Sequence, residues 1–84
     1  MTREELFDKM KEVIVETLGV EEEDVKLDSS FVDDLDADSL ELVDLTMALE
    51  SELGVTIEDD EIESLKSVED ALKIVANKLN IDED

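Results

Sequence analysis

Residues 33–45 read DDLDADSLELVDL, a stretch in which an acidic loop runs into an apolar helical pattern. Asp38 and Glu41 have the three-residue spacing of reciprocal side-chain caps that begin a helix. This places Ser39 in the first helical turn, where backbone N–H groups lack partners and the helix dipole is positive. A phosphate ester would be stabilised there, so Ser39 is a suitable attachment point for a phosphodiester-linked arm. The alternative interpretation is that Ser39 is an ordinary first-turn serine with no attached group.

The apolar pattern around this stretch predicts two longer helices. One covers residues 39–53 and ends at Gly54, since glycine readily adopts the left-handed conformation of a helix end. The other begins at a capping pattern in residues 2–5 and ends at Gly19.

Two further helices are predicted downstream. Residues 59–64 favour one short helix, and Ser67 caps a last helix with a regular apolar stripe. Residues 55–57 are β-like but have no partner strand, so they are expected to be an extended connector. The predicted fold class is all-α: a small four-helix bundle of three longer helices and one short helix, with a long first loop.

The first loop, residues 20–37, is long for a connection in a compact domain. It is polar and acidic, and we expect Phe31 and Leu35 to anchor it across the helices, with room for a short extra turn. A chain of 84 residues is too short for two cores. We therefore expect a single domain over residues 1–84, with residues 81–84 as a fraying tail.

The composition excludes several kinds of chemistry. The chain has no cysteine and no histidine, which removes disulfides, thiol nucleophiles, imidazole bases and the commonest metal ligands. Asp34, Asp36 and Asp38 alternate as in a calcium loop, but Ser39 and Leu45 stand where such a loop needs glycine and glutamate. We expect neither an enzyme nor a specific metal site, although weak binding of divalent cations by surface carboxylates stays open.

The formal net charge of −21 restricts the partners. Such a field repels nucleic acid, anionic lipid and a second copy of the chain, and it attracts basic patches on other proteins. A monomer without nucleic-acid partners is expected. The sequence shows neither a leader pattern nor a membrane span, so the expected location is cytoplasmic. An organellar protein whose leader has been removed would show the same pattern.

The helix over residues 39–53 carries more apolar surface than one buried stripe requires. One arc suits the core and contains Leu42, Leu45, Thr46, Leu49 and Leu53. Leu40, Val43 and Met47 fall on another arc among acidic residues. Other helices could cover this second arc, or it could be an exposed docking face. No Lys or Arg occurs in residues 27–65, which favours a docking face for a partner with a basic rim.

The residues around Ser39 resemble the attachment motif of acyl carrier proteins, and the similarity in length, acidity and helix order extends over essentially the whole chain. The motif comprises residues 34–45, with Asp38-Ser39-Leu40 at its centre, and residues 48–50. The resemblance implies that a phosphopantetheinyl transferase attaches 4′-phosphopantetheine from coenzyme A to Ser39. The thiol of that arm would carry acyl groups as thioesters during fatty acid synthesis. Asp36 is a departure, since the family usually has glycine there.

The same resemblance assigns two further groups of residues. Basic docking patches of fatty acid synthesis enzymes would recognise Leu40, Glu41, Val43, Asp44, Met47 and Glu50. Acyl chains would lie between the helices against Leu45, Leu49, Ile57 and Ile62.

Two alternatives stay open. The chain could serve a specialised pathway, such as lipid A, polyketide or aminoacyl transfer, which shares the motif at Ser39. It could instead be an acidic helical adaptor, or a weak calcium buffer, without a covalent arm.

Overall fold

Four α-helices make up the computed structural model, which describes residues 2–81: α1 (Arg3–Leu18), α2 (Ser39–Leu53), α3 (Asp59–Glu63) and α4 (Val68–Lys78). A 3₁₀ turn, Glu22–Asp24, lies in the first loop. Within residues 2–81 there is no β-strand, and residues 55–57 are an extended connector. The predicted all-α bundle of three longer helices and one short helix is confirmed. None of the helices in this range combines the length and apolar character needed to cross a membrane.

The three longer helices begin after the predicted capping residues. At α1, the Thr2 hydroxyl accepts the Glu5 N–H at 3.2 Å, and the Glu5 carboxylate accepts the Thr2 N–H at 2.9 Å. The hydrogen bond from the Thr2 backbone lowers the pKa of the Glu5 carboxyl below its ordinary value. Ser67 and Asp70 cap α4 in the same reciprocal way. These bonds satisfy N–H donors that a helix start otherwise leaves unpaired. Because they join residues only three apart, the sequence predicts these helix starts well.

The C-terminal ends of the longer helices use left-handed residues. Gly19 ends α1 with φ of 68°, and Gly54 ends α2 with φ of 67°. At α4 the left-handed residue is Asn80, with φ of 58°, and the next residue, Ile81, donates its N–H to the Ala76 carbonyl at 2.9 Å. Ile81 was predicted to fray but is instead half-buried and held by this Schellman-type bond. Residues 82–84 of the predicted tail lie outside the described residues.

The long first loop is attached to the start of α4. Phe31 is fully buried and Leu35 is 4% exposed, as expected for the two anchors. The Phe31 N–H donates to the Lys66 carbonyl at 3.0 Å. The Val68 N–H donates to the Ser29 carbonyl at 3.0 Å, so the loop also satisfies an unpaired donor of the helix start. These bonds position the end of the loop, where α2 begins.

The core lies between the three longer helices and this loop. Its fully buried large side chains are Leu6, Met10, Ile14, Phe31, Leu45, Thr46, Leu49, Val68 and Val75. Thr46 is the polar member, and its hydroxyl donates to the Val43 carbonyl at 2.8 Å. The predicted inner arc of α2 therefore does face the core, with Leu42 and Leu53 half-buried at its edges.

Candidate functional site

Ser39 is the first residue of α2 and is exposed. The Asp38 carboxylate accepts the Glu41 N–H at 2.9 Å, and the Glu41 carboxylate accepts the Asp38 N–H at 3.3 Å. The Leu42 N–H donates to the Asp38 carbonyl at 3.0 Å. By contrast, the N–H groups of Ser39 and Leu40 have no acceptor within residues 2–81. They can therefore donate to an oxygen-rich group on the Ser39 hydroxyl.

The loop reaches Ser39 through a left-handed residue, Asp36, whose φ is 56°. Ala37 follows it, is 2% exposed, and donates its N–H to the Phe31 carbonyl at 2.8 Å. Asp and Asn are the non-glycine residues that best tolerate this backbone conformation. Asp36 therefore adopts a backbone conformation that glycine would also adopt readily.

Substitutions at Asp36 should separate its backbone strain from its charge. Asp36→Gly, Asp36→Asn and Asp36→Ala remove the same charge but differ in tolerance of positive φ. We expect the glycine variant to exceed the alanine variant by ~1 kcal/mol in free energy of unfolding, with asparagine between them. Urea denaturation followed by circular dichroism measures this order. Equal stability of the glycine and alanine variants would contradict a left-handed Asp36.

The second arc of α2 is exposed. Leu40 is 76% exposed, Met47 59% and Val43 41%. Asp44 is exposed and Glu41 is half-buried. No other helix covers this arc in the described part of the chain. Of the two possibilities left open by the sequence, a covered arc and an exposed one, the structure therefore shows the exposed one. It is an apolar strip with carboxylates beside it, starting next to Ser39.

Glu50, predicted as part of the same surface, has a structural contact of its own. Its Oε2 accepts the Ile57 N–H at 2.8 Å, which joins the connector after α2 back onto that helix. Glu50 is therefore half-buried, and one of its carboxylate oxygens already accepts a hydrogen bond within the protein. The sequence could not show this bond, because it depends on how the connector turns back.

A cleft of about 610 Å³ lies beside Ser39, between α2 and α3. We call it the Ser39 cleft; its lining residues are Val32, Ser39, Leu42, Val43, Asp59, Ile62, Glu63 and Leu65. Five of these side chains are aliphatic, and the two carboxylates lie on the α3 side. The exposed hydroxyl, the free N–H groups and this cleft together suit a phosphate ester that carries an apolar extension.

The four residues predicted to line an acyl pocket lie in two different places in the structure. Ile62 lines the Ser39 cleft, whereas Leu45 and Leu49 are fully buried and Ile57 is 8% exposed. These three residues belong to the core rather than to the open cleft. Sequence reasoning missed Val32, Leu42 and Leu65 as lining residues. The helical spacing of Leu42 from Ser39 was a usable signal, since residues three apart lie on the same helix face.

Two of the three alternating aspartates before Ser39 have structural hydrogen bonds. The Asp34 Oδ2 accepts the Ser30 N–H at 2.7 Å, and Asp38 is the helix cap described above. No three side chains of the metal-binding types cluster closely enough to hold an ion within residues 2–81.

Comparisons with known proteins match this arrangement. The family model described as "Phosphopantetheine attachment site" matches residues 8–75. An acyl carrier protein of Petrotoga mobilis is 66% identical over 84 residues, covering all of this chain and 99% of that protein. One from a Sulfurovum species is 51% identical over 72 residues, covering 86% of this chain and 96% of that protein.

The fold agrees with a solved structure as well. The crystal structure of an acyl carrier protein from Thermotoga maritima superimposes with a TM-score of 0.82 at 36% identity, covering 95% of this chain and 93% of that one. Sequence and fold therefore agree over nearly the same length. The chain belongs to the acyl carrier protein family, in which 4′-phosphopantetheine is covalently bound.

Proposed function

We propose that this acyl carrier holds growing acyl chains as thioesters on a 4′-phosphopantetheine arm attached to Ser39, in fatty acid synthesis. The supporting observation is the exposed Ser39 hydroxyl at the start of α2, beside an apolar cleft. The attached group supplies the terminal thiol that a chain without cysteine lacks. The protein itself then acts as a carrier and not as a catalyst.

The residues around Ser39 have distinct roles in this proposal. Asp38 caps the helix start and so fixes the position of the exposed Ser39, and Leu40, at 76% exposure, is free to contact a transferase. The Ser39 cleft takes the part of the cargo nearest the arm. Leu45, Leu49 and Ile57 are buried, so cargo would reach them only when the helices separate.

The proposed docking surface consists of Leu40, Glu41, Val43, Asp44, Met47 and Glu50. Its carboxylates would attract basic patches on a transferase and on synthesis enzymes, while its exposed apolar side chains would be buried on contact. A carrier that visits several enzymes needs fast and weak binding, which electrostatic steering provides. A monomeric state and a cytoplasmic location, where coenzyme A is encountered, belong to the same proposal.

Neutralising Glu41 and Asp44 together should slow modification by the transferase. We expect Glu41→Gln with Asp44→Asn to lower kcat/KM about 10-fold at low ionic strength, and less at high salt. The fold should stay intact, because glutamine can replace glutamate in the reciprocal cap. The rate of coenzyme A consumption at several salt concentrations measures the effect.

The matched control is Asp8→Asn with Glu12→Gln, which removes the same charge from exposed positions on α1. Its kcat/KM should change less than about twofold. Equal losses in both double variants would mean that only the total charge matters, and the docking surface would have to be abandoned.

Incubation with coenzyme A and a phosphopantetheinyl transferase tests the proposed function. Intact-mass spectrometry should show the gain of one phosphopantetheine, and peptide mapping should place it on Ser39. No gain with several transferases would favour the acidic adaptor. The acyl group that accumulates on the arm in cells would distinguish fatty acid synthesis from a specialised pathway.

A further inference from the structure

α3 is the most weakly anchored of the four helices. It has five residues, none of them buried, and packs chiefly against α2. Residues 58–63 contain five carboxylates and no cation, so this segment repels itself. Short segments with few buried contacts open locally at low free energy. Contacts with other elements must therefore contribute to holding α3 in place.

Lys78, in the last turn of α4, supplies a cation to this segment. Its Nζ lies 2.8 Å from Oε1 of Glu61. The same Oε1 accepts the Glu58 N–H at 3.0 Å, so one carboxylate oxygen both caps α3 and joins it to α4. The Glu58 N–H and then Lys78 lower the pKa of the Glu61 carboxyl below its ordinary value.

α4 is a firm support for this contact, because one face of it is buried along its length. Contacts other than this ion pair also attach the segment around α3. Before α3, the Ile57 N–H donates to Glu50, and after it Leu65 is 5% exposed. Both lie outside the helix, and within the helix the half-buried Ile62 packs against the core. The ion pair between Glu61 of α3 and Lys78 of α4 is the charged contact between α3 and another helix.

The position of α3 determines the shape of the Ser39 cleft. Asp59, Ile62 and Glu63 line one side of the cleft, and Ser39, Leu42 and Val43 line the other. The first three belong to α3 and the last three to α2. A shift of α3 away from the bundle would therefore widen the cleft next to Ser39.

We propose that the Glu61–Lys78 ion pair holds α3 against the bundle, and that Lys78 is a positioning residue that limits how readily the Ser39 cleft opens. The consequence for cargo rests on the proposed function, whereas the hold on α3 does not. The Lys78 side chain is 25% exposed and that of Glu61 32% exposed. Because solvent partly screens the two charges, the ion pair is expected to stabilise the position of α3 only modestly.

Amide hydrogen exchange on the unmodified protein tests the hold on α3. In Lys78→Met, the amides of Glu61, Ile62 and Leu65 should exchange about threefold faster, while those of α1 stay unchanged. Lys73→Met is the matched control: it removes the same charge from an exposed position of α4 that has no ion pair within residues 2–81. It should leave the α3 amides unaffected.

A second variant isolates the ionic part of the contact. Glu61→Gln keeps an oxygen that can accept the Glu58 N–H but loses the charge. It should speed α3 exchange as Lys78→Met does, and combining both should add little more. Equal α3 exchange in Lys78→Met and Lys73→Met, or a uniform increase across all helices, would overturn the proposal.

The consequence for cargo is measured on protein that carries an octanoyl thioester. Cleavage by hydroxylamine should be about threefold faster in Lys78→Met than in Lys73→Met, because the chain leaves the cleft more readily. Faster α3 exchange with unchanged cleavage would overturn the role of Lys78 in cargo release. If no arm can be attached to Ser39, the proposed function fails, and the exchange result on unmodified protein still decides the hold on α3.

Discussion

Replacement of Ser39 by alanine should abolish the attachment of 4′-phosphopantetheine completely. The ester needs a hydroxyl oxygen as the nucleophile, and alanine has none. The transferase would also find no nearby substitute, because Asp38 and Leu40 flank the site and neither carries a hydroxyl. Intact-mass spectrometry after incubation with coenzyme A and a transferase should show only the unmodified mass.

Ser51→Ala is the matched control, since Ser51 is an exposed serine of the same helix. It should accept the arm as the unchanged protein does. Both variants should keep the free energy of unfolding within ~0.5 kcal/mol, because both replace exposed side chains that do not cap a helix. A mass gain that persists in Ser39→Ala would place the arm elsewhere and refute the proposed attachment site.

Much of this fold could be predicted because its decisive signals are local. A capping box needs only residues three apart, and a glycine end needs only one residue, so α1 and α2 were correctly delimited. Phe31 and Leu35 were predicted as anchors from their apolar side chains in an acidic loop, although Val32 in the same loop is apolar and 55% exposed. The Asn80 end of α4 was missed, although asparagine after an apolar stripe is a recognised helix stop.

The rest depends on contacts that no local pattern contains. Periodicity assigned Leu45 and Leu49 to an inward face, but it could not show that α3 and the Ser39 end of α2 border one cleft, which Leu42 also lines. The hydrogen bond from Ile57 to Glu50 lies across the turn after α2. The ion pair of Glu61 with Lys78 joins residues that are distant in sequence. Acidic residues that look like solvated surface therefore include several that hold the structure around the site.

The distribution of charge connects stability with the site. All seven basic residues lie outside residues 27–65, and this range contains both Ser39 and α3. The segment that would meet partner enzymes is thus the one with the most self-repulsion. Its order must come from apolar anchors and from contacts with flanking elements, such as Phe31 with Lys66 and Glu61 with Lys78.

Phe31→Ala should therefore destabilise the protein more than any surface substitution considered above. Phe31 is fully buried, and truncating a buried phenylalanine typically costs about 3–5 kcal/mol. Domains of this kind are stabilised by about 5–15 kcal/mol in total, so a large part of the stability would be lost. Urea denaturation followed by circular dichroism should show the transition at much lower urea, and added salt should recover part of it.

The neighbouring Val32→Ala is the control, because Val32 belongs to the same loop but is 55% exposed. It should change the free energy of unfolding by less than ~1 kcal/mol, and Phe31→Leu should recover more than half of the loss. The Phe31 carbonyl accepts the Ala37 N–H just before the cap of α2, so loosening Phe31 also loosens the support of Ser39. Equal destabilisation by Phe31→Ala and Val32→Ala would show that the loop is not anchored through the phenylalanine ring, and the attachment serine would then depend on its helix cap alone.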